Sequence, residues 1–254
     1  MIEVEHICLS FGKRKILEDV NLTVYDGETM VILGASGSGK STLLKLIIGL
    51  LKPDSGSIKV NGKEISSLTE REMNEERRRM GMVFQYSALF DSMSVKENIA
   101  FGIRQHRQCS ENEIDTIVKE KLHLIGLDDI QDLMPANLSG GMKKRVSLAR
   151  AIALEPDIIL YDEPTAGLDP IRATDISCLI KRTQEVMHTT SIVVTHDLKS
   201  AFYLADRIAF LYEGQFLFIG TTDELTRSKD NRIQQFIQGK GSFNQSLSMG
   251  GESG

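Results

Sequence analysis

The chain opens on short apolar runs divided by polar turns: residues 2–9, 20–25 and 29–33, with an Asp26-Gly27 turn before the last. Runs of this length bounded by turn residues predict strands. Residues 34–40 form a Gly/Ser loop, and from 41 to 51 Leu and Ile recur at helical spacing until Lys52-Pro53. Residues 57–60 followed by Asn61-Gly62 predict a hairpin arm with a type I′ turn. Residues 69–79, crowded with Glu and Arg, read as a solvated helix face that carries no site. A short strand over 81–84 precedes a stretch, about 94–154, in which helical spacing prevails; residues 111–126 are its clearest amphipathic segment and Gly126 its stop. Two further apolar strands, 158–161 and 191–195, run into Asp162-Glu163 and His196-Asp197. This order predicts an α/β domain over residues 1–238 with a helical subdomain at about 94–154. The Gly- and Ser-rich residues 239–254 are expected to form a mobile tail.

Composition narrows the function classes. At 254 residues, 41% hydrophobic and 26% charged, the chain can bury a self-sufficient core, so disorder and fibrous architectures are excluded. Thirty basic against thirty-five acidic residues give a net charge of -5, which argues against nucleic acid as a partner. Cys8, Cys109 and Cys178 are odd in number and lack a CxxC pair, so neither a disulfide framework nor a zinc site is expected, and a reducing compartment is. The most apolar stretch, 43–51, already contains Lys45, whereas a spanning helix needs about twenty apolar residues. The N-terminus has neither the basic start nor the apolar block of a secretory signal, so the protein is expected to stay where it is made.

The chemistry gathers at the strand ends. Gly34-Ala35-Ser36-Gly37-Ser38-Gly39-Lys40-Ser41 fits G-x-x-x-x-G-K-[ST] between a predicted strand and helix. Glycines there let successive N–H groups converge on phosphate oxygens, aided by the helix dipole; Lys40 reaches β and γ phosphates and Ser41 can ligate Mg²⁺. A chance match in a chain this long has odds on the order of one in a hundred. The strand 158–161 places Asp162 and Glu163 at its C-terminal end, where open α/β sheets bind ligands. Asp162 is expected to hold Mg²⁺ and Glu163 to polarise an attacking water as general base. Leu138-Ser139-Gly140-Gly141-Met142 is a second glycine loop before a helix, and taken alone fits either an anion cradle or a plain Ser N-cap.

The order along the chain resembles the ATP-binding cassette (ABC) ATPases from about residue 3 to 238. It runs from the phosphate loop through Gln85, LSGGM, the carboxylate strand and Ala166-Gly167-Leu168-Asp169 to His196. The resemblance implies a P-loop NTPase fold: a RecA-like core, an antiparallel β subdomain and an inserted α-helical subdomain. It implies ATP and Mg²⁺ as ligands, with Gly34, Ser36, Gly37, Ser38, Gly39, Lys40, Ser41 and Thr42 around the phosphates. Ser41, Gln85 and Asp162 would stand at the metal, and Glu163, Gln85 and His196 at the reaction. Phe11 sits where the family often stacks an aromatic on adenine, with core packing the alternative. Ser139, Gly140 and Gly141 would act across a head-to-tail homodimer, with Asp169 linking the two sites. One departure stands out: the family's signature commonly ends in Gln, and here Met142 occupies that place.

Within the family, residues 88–95, 133–145, 149–157 and 232–237 are similar to the ATPases of the Mla-type phospholipid transporters. That likeness implies a peripheral subunit on the cytoplasmic side of the inner membrane, beneath a permease dimer. An MCE-domain lipid-binding protein lies outside, and in some systems a STAS-domain partner inside. Leu89, Phe90, Met93 and Val95 are a candidate groove for a permease helix, or else subdomain core. The alternatives are the ATPase of another importer and a soluble scaffold ATPase in iron–sulfur assembly or cell division. A nucleotide switch without hydrolysis is a third, against which Glu163 argues.

Overall fold

The computed structural model describes residues 1–239. Of the predicted tail, residues 240–254 lie outside the described residues. The first apolar runs pair as an antiparallel sheet: β1 (Ile2–Phe11) and β2 (Arg14–Val24) form a hairpin, and β4 (Ser55–Val60) with the short β5 (Lys63–Glu64) continues it in the order β2-β1-β4-β5. Asn61 and Gly62 both take positive φ, 51° and 78°, as a type I′ turn requires.

The second sheet has six strands in the order β10-β9-β3-β8-β7-β6: β3 (Thr29–Leu33), β6 (Met80–Val83), β7 (Ile158–Asp162), β8 (Thr190–Thr195), β9 (Arg207–Tyr212) and β10 (Gln215–Gly220). All pairs are parallel except β9 with β10. Every residue of β3, β7 and β8 is buried, as expected of parallel strands covered on both faces. Alternation divides their side chains between two cores. Val31, Leu33, Ile159, Tyr161 and Val193 join the helical side, whereas Met30, Ile32, Leu160, Ile192 and Val194 pack under the antiparallel sheet and the first helix.

That first helix, α1 (Lys40–Ile47), stops earlier than the apolar pattern predicts. Gly49 takes φ 69°, and the N–H groups of Leu50 and Leu51 turn back to the Lys45 carbonyl, so the last two leucines close the helix instead of extending it. α2 (Glu70–Arg77) buries only Met73 and otherwise meets solvent, as its charge pattern predicts. α3 (Val95–His106) and α4 (Glu111–Leu124) each begin at a capping box, Ser94 with Glu97 and Ser110 with Glu113. They pack with α5 (Gly140–Ile152) through Ile99, Ile103, Val118, Leu122, Val146 and Ile152. α6 (Pro170–Met187) and α7 (Leu198–Leu204) follow β7 and β8, and α8 (Thr222–Thr226) and α9 (Asn231–Ile237) close the described chain.

Val95 is fully buried, so it belongs to the core and not to a partner groove; Leu89 is partly buried against the same core. Phe90 stays exposed, against Phe101 and Arg150, and so does Tyr86. Phe11 is 53% exposed at the β1–β2 turn, which excludes the core-packing alternative. No helix among the described residues is long and apolar enough to cross a membrane.

Candidate active site

Four adjacent parallel strands, β3, β8, β7 and β6, end on the same edge and deliver Lys40, His196, Asp162-Glu163 and Gln85 to one place. The loop leaving β3 is built on glycine for steric reasons. A Cβ on Gly34 would lie 2.2 Å from the Leu211 carbonyl oxygen, and Gly39 holds φ 108° with Leu17 and the Ile16 carbonyl within about 3 Å of where a Cβ would stand. Gly39 is also the N-cap of α1 and supplies no side-chain acceptor, so the first N–H groups of that helix are left for an anion.

Lys40 is 5% exposed. Its ammonium donates to the carbonyls of Gly34 at 2.8 Å and Ala35 at 3.0 Å and lies 3.6 Å from Glu163 Oε1. Burial pulls its pKa below the ordinary lysine range, opposed by the Glu163 and Asp162 carboxylates. Ser41 Oγ donates to Asp162 Oδ1 at 2.6 Å. His196 Nδ1 lies 2.9 Å from Glu163 Oε2, so Glu163 stands between an ammonium and an imidazole. The Ser38 hydroxyl is buried with no partner, an orphaned polar atom within the phosphate loop.

Two features escape sequence reasoning. Glu163 takes φ 47°, an uncommon conformation for a residue with a Cβ, and such strain collects at functional sites. The cleft, of about 410 Å³, is lined by Arg14 and Ile16 from β2 as well as by Ser36, Lys40, Ser41, Thr42, Gln85, Glu163 and His196. A periodicity reading assigns Arg14 and Ile16 to a strand and gives no sign that their hairpin folds over the loop.

The oxygen donors fit a small hard cation. The Ser41 hydroxyl and the Asp162 carboxylate are already in contact, and Gln85 lines the same cleft. Among the described residues no three His, Cys, Asp or Glu cluster as a metal cage. A magnesium ion held by one or two protein oxygens, substrate phosphates and water suits such a set.

Ser139, Gly140, Gly141 and Asp169 do not line this cleft. Ser139 caps α5, accepting from the Met142 N–H at 3.3 Å, so the N-cap reading of LSGGM holds. Ser139 and Gly140 are exposed and Gly141 is half-buried, and a Cβ on Gly140 would meet nothing within 4 Å. Asp169 caps α6 and pairs with Arg172, whose Cδ lies 3.9 Å from where a Cβ on Gly141 would stand. The signature loop and Asp169 therefore share a second surface. Met142 packs against the helical core, which explains an apolar side chain where the family commonly has Gln.

Comparison with known proteins fits this geometry. A family profile described as "ABC transporter" matches residues 17–166. The chain is 45% identical over 240 residues to the "Intermembrane phospholipid transport system ATP-binding protein MlaF" of Haemophilus influenzae, covering 94% of this chain and 91% of that one. It is 42% identical to the "Probable ribonucleotide transport ATP-binding protein mkl" of Mycobacterium tuberculosis, covering 94% of this chain and 67% of that one. An ATP-binding cassette solved as a dimer in a post-hydrolysis state with ADP and Pi superposes with a TM-score of 0.81 at 32% identity, covering 87% of this chain and 98% of that one.

Proposed function

From the premise that the chain belongs to the ABC transporter family of ATPases, we propose that it works as a head-to-tail homodimer that hydrolyses ATP to drive a separate membrane permease, with phospholipid as cargo. The carrying observation is a division of labour. One chain assembles Lys40, Ser41 with Asp162, and Glu163 with His196 in a single cleft, while the loop Ser139–Gly141, with Ser139 and Gly140 exposed, lies outside it. A second copy would bring that glycine loop over the bound phosphates and complete the site.

In this reading residues 1–238 are one cassette with its helical subdomain at about 94–154. The N–H groups of the phosphate loop and Lys40 hold the phosphates, and Phe11 offers its exposed ring to the base. Ser41, Asp162 and Gln85 would hold Mg²⁺, which would supply charge neutralisation to the phosphates. Glu163 accepts a proton from the attacking water as its oxygen bonds to the γ-phosphorus and the β–γ bridge breaks, releasing ADP and phosphate. His196 orients Glu163, and Asp169 connects the two sites of the dimer.

Gly140→Ala tests the dimer. The added methyl meets nothing in one chain, so folding and ATP affinity of the isolated chain should hold or rise slightly, since Ala exceeds Gly in helix propensity by up to about 1 kcal/mol. Turnover should fall about tenfold, because the backbone can no longer approach the partner's phosphate closely. Steady-state hydrolysis beside a thermal melt checks it; unchanged turnover removes the shared site.

The cargo reading rests on the 45% identity to a phospholipid-transport ATPase across nearly the whole chain. It places the subunit peripherally on the cytoplasmic face of the inner membrane, with an MCE-domain protein and a STAS-domain protein as further partners. The 42% likeness to a protein named for ribonucleotide transport favours a second reading, an importer of a soluble solute. Affinity purification from detergent-solubilised membranes discriminates them. Recovery of a permease with an MCE-domain protein supports phospholipid; a solute-binding receptor in its place overturns it.

A further inference from the structure

Helix α5 carries a buried cation, Lys144, and a half-buried one, Arg150, that the cleft chemistry leaves without a task. Lys144 and Arg150 lie six residues apart on α5, and both donate to main-chain carbonyls of the segment after β6. Lys144 Nζ donates to Gln85 O; Arg150 donates to Ala88 O at 2.7 Å and Ser87 O at 3.2 Å. Lys144 alone also reaches across to the Glu163 carbonyl, at 3.4 Å. It is 7% exposed, and its stem runs beside Val83, Leu148, Tyr161 and Pro164 around a space of only about 10 Å³.

An apolar side chain of similar length would pack there without the desolvation penalty of a buried ammonium. Burial does hold the Lys144 ammonium below the ordinary lysine range, and the Asp162 and Glu163 charges only partly offset this. What the ammonium obtains in exchange is a bridge between the backbones of two residues, Gln85 and Glu163, that both line the cleft. The bridged segments are strained: Ser87, Ala88 and Glu163 have φ of 64°, 47° and 47°. Backbones held in this region persist only where their surroundings over-determine them. The same helix begins at Ser139–Gly141, so one rigid element ties the glycine loop to both cleft residues.

Resting on the ATPase reading, we propose that Lys144 is a positioning residue for hydrolysis, whose ammonium spans the Gln85 and Glu163 carbonyls and sets the distance between the amide that orients the water and the carboxylate that deprotonates it. It touches neither phosphate nor metal. Its loss should misplace the water without loosening the phosphate loop, a signature that separates it from a simple strut and from a charge that attracts nucleotide.

The test compares the full-length wild-type chain with Lys144→Met and Lys144→Arg in three measurements: kcat, the Kd for ATP in EDTA, and the melting temperature. For Lys144→Met, kcat should fall about ten- to a hundredfold, the range that an ångström-scale misplacement produces. ATP affinity should stay within about twofold, since the contacts of Lys40 and the loop are untouched. Lys144→Arg, which keeps the charge and the donors, should restore most of the lost rate. A Lys144→Met kcat equal to wild type overturns the proposal. So does a loss of ATP affinity in parallel with kcat, or a loss of rate that Lys144→Arg shares in full. If Lys144→Met does not fold, Lys144→Gln takes its place with the same split expected at smaller size, and failure of both to fold makes the role structural and overturns the proposal. Wild-type chain that binds ATP but never hydrolyses it removes the ATPase reading itself, an outcome visible before any variant is compared.

Discussion

Glu163→Gln should retain ATP and cleave it about 10²- to 10⁴-fold more slowly, the range that general-base catalysis supplies. The residue is placed for that role by three observations that do not depend on one another. It is 8% exposed, its carboxylate stands between the Lys40 ammonium at 3.6 Å and His196 Nδ1 at 2.9 Å, and its backbone sits at a positive φ. Glutamine keeps the shape and can still bond His196, so the fold of the cleft should survive. It removes the group that takes the proton. It also removes a negative charge beside the incoming γ-phosphate and frees Lys40 from a competing partner, so ATP should bind at least as tightly as in wild type. Slow cleavage with undiminished binding makes the closed dimer long-lived. Single-turnover phosphate release and size-exclusion chromatography with ATP read the two effects separately. Turnover near the wild-type rate would refute the base assignment, whatever the elution profile shows.

How much of this could be read from the residues follows from where the information is stored. The phosphate loop was legible because its glycines answer to backbone sterics: Gly34 has no room for a Cβ beside Leu211, and Gly39 needs its φ of 108°. The parallel strands were legible because burial on both faces leaves unbroken apolar runs, as in β7 and β8. The end of α1 was not, since Leu50 and Leu51 continue the apolar pattern while Gly49 reverses the chain beneath them. Lys144 was illegible for a related reason. In Met142-Lys143-Lys144-Arg145 a lysine reads as one more solvated charge, and only the tertiary packing shows that it points inward to two carbonyls. Arg14 and Ile16 reach the cleft through the placement of one sheet over another, which no local pattern encodes. At Ser139 the structure shows the bland reading and leaves room for the functional one. The residue caps α5, and the same helix start leaves open space over Gly140, which the proposed dimer would use.

Lys40→Ala should weaken ATP binding about 10²- to 10³-fold through two effects of the same sign. The first is the loss of charge-assisted bonds to the phosphates. At present the ammonium is held by the Gly34 and Ala35 carbonyls at 2.8 and 3.0 Å, neutral acceptors that a triphosphate oxygen can replace without moving the loop. The second is the loss of compensation. Asp162 and Glu163 are buried beside Lys40, and without it the phosphates would approach two carboxylates that have lost their nearest cation. Breaking a buried pair by removing one partner costs about 3–5 kcal/mol, and about 1.4 kcal/mol is tenfold in affinity, so the stated loss sits within that range. Without nucleotide the outcome differs. The Lys40 ammonium is itself disfavoured by burial, so its removal relieves one penalty while exposing another, and the melting temperature should move little. The ATP-induced rise in stability gives the cleanest reading. At a ligand concentration a hundredfold above the wild-type Kd it is about 2.7 kcal/mol, and a hundredfold loss of affinity reduces it to about 0.4 kcal/mol. Lys40→Met, which keeps the volume of the stem, should behave the same way and so exclude a packing defect as the cause. If either variant melts with the full ATP-induced shift, the residues from Gly34 to Ser41 do not hold the phosphates, and the assignments of Asp162, Glu163 and Gln85 built around them fall with the loop.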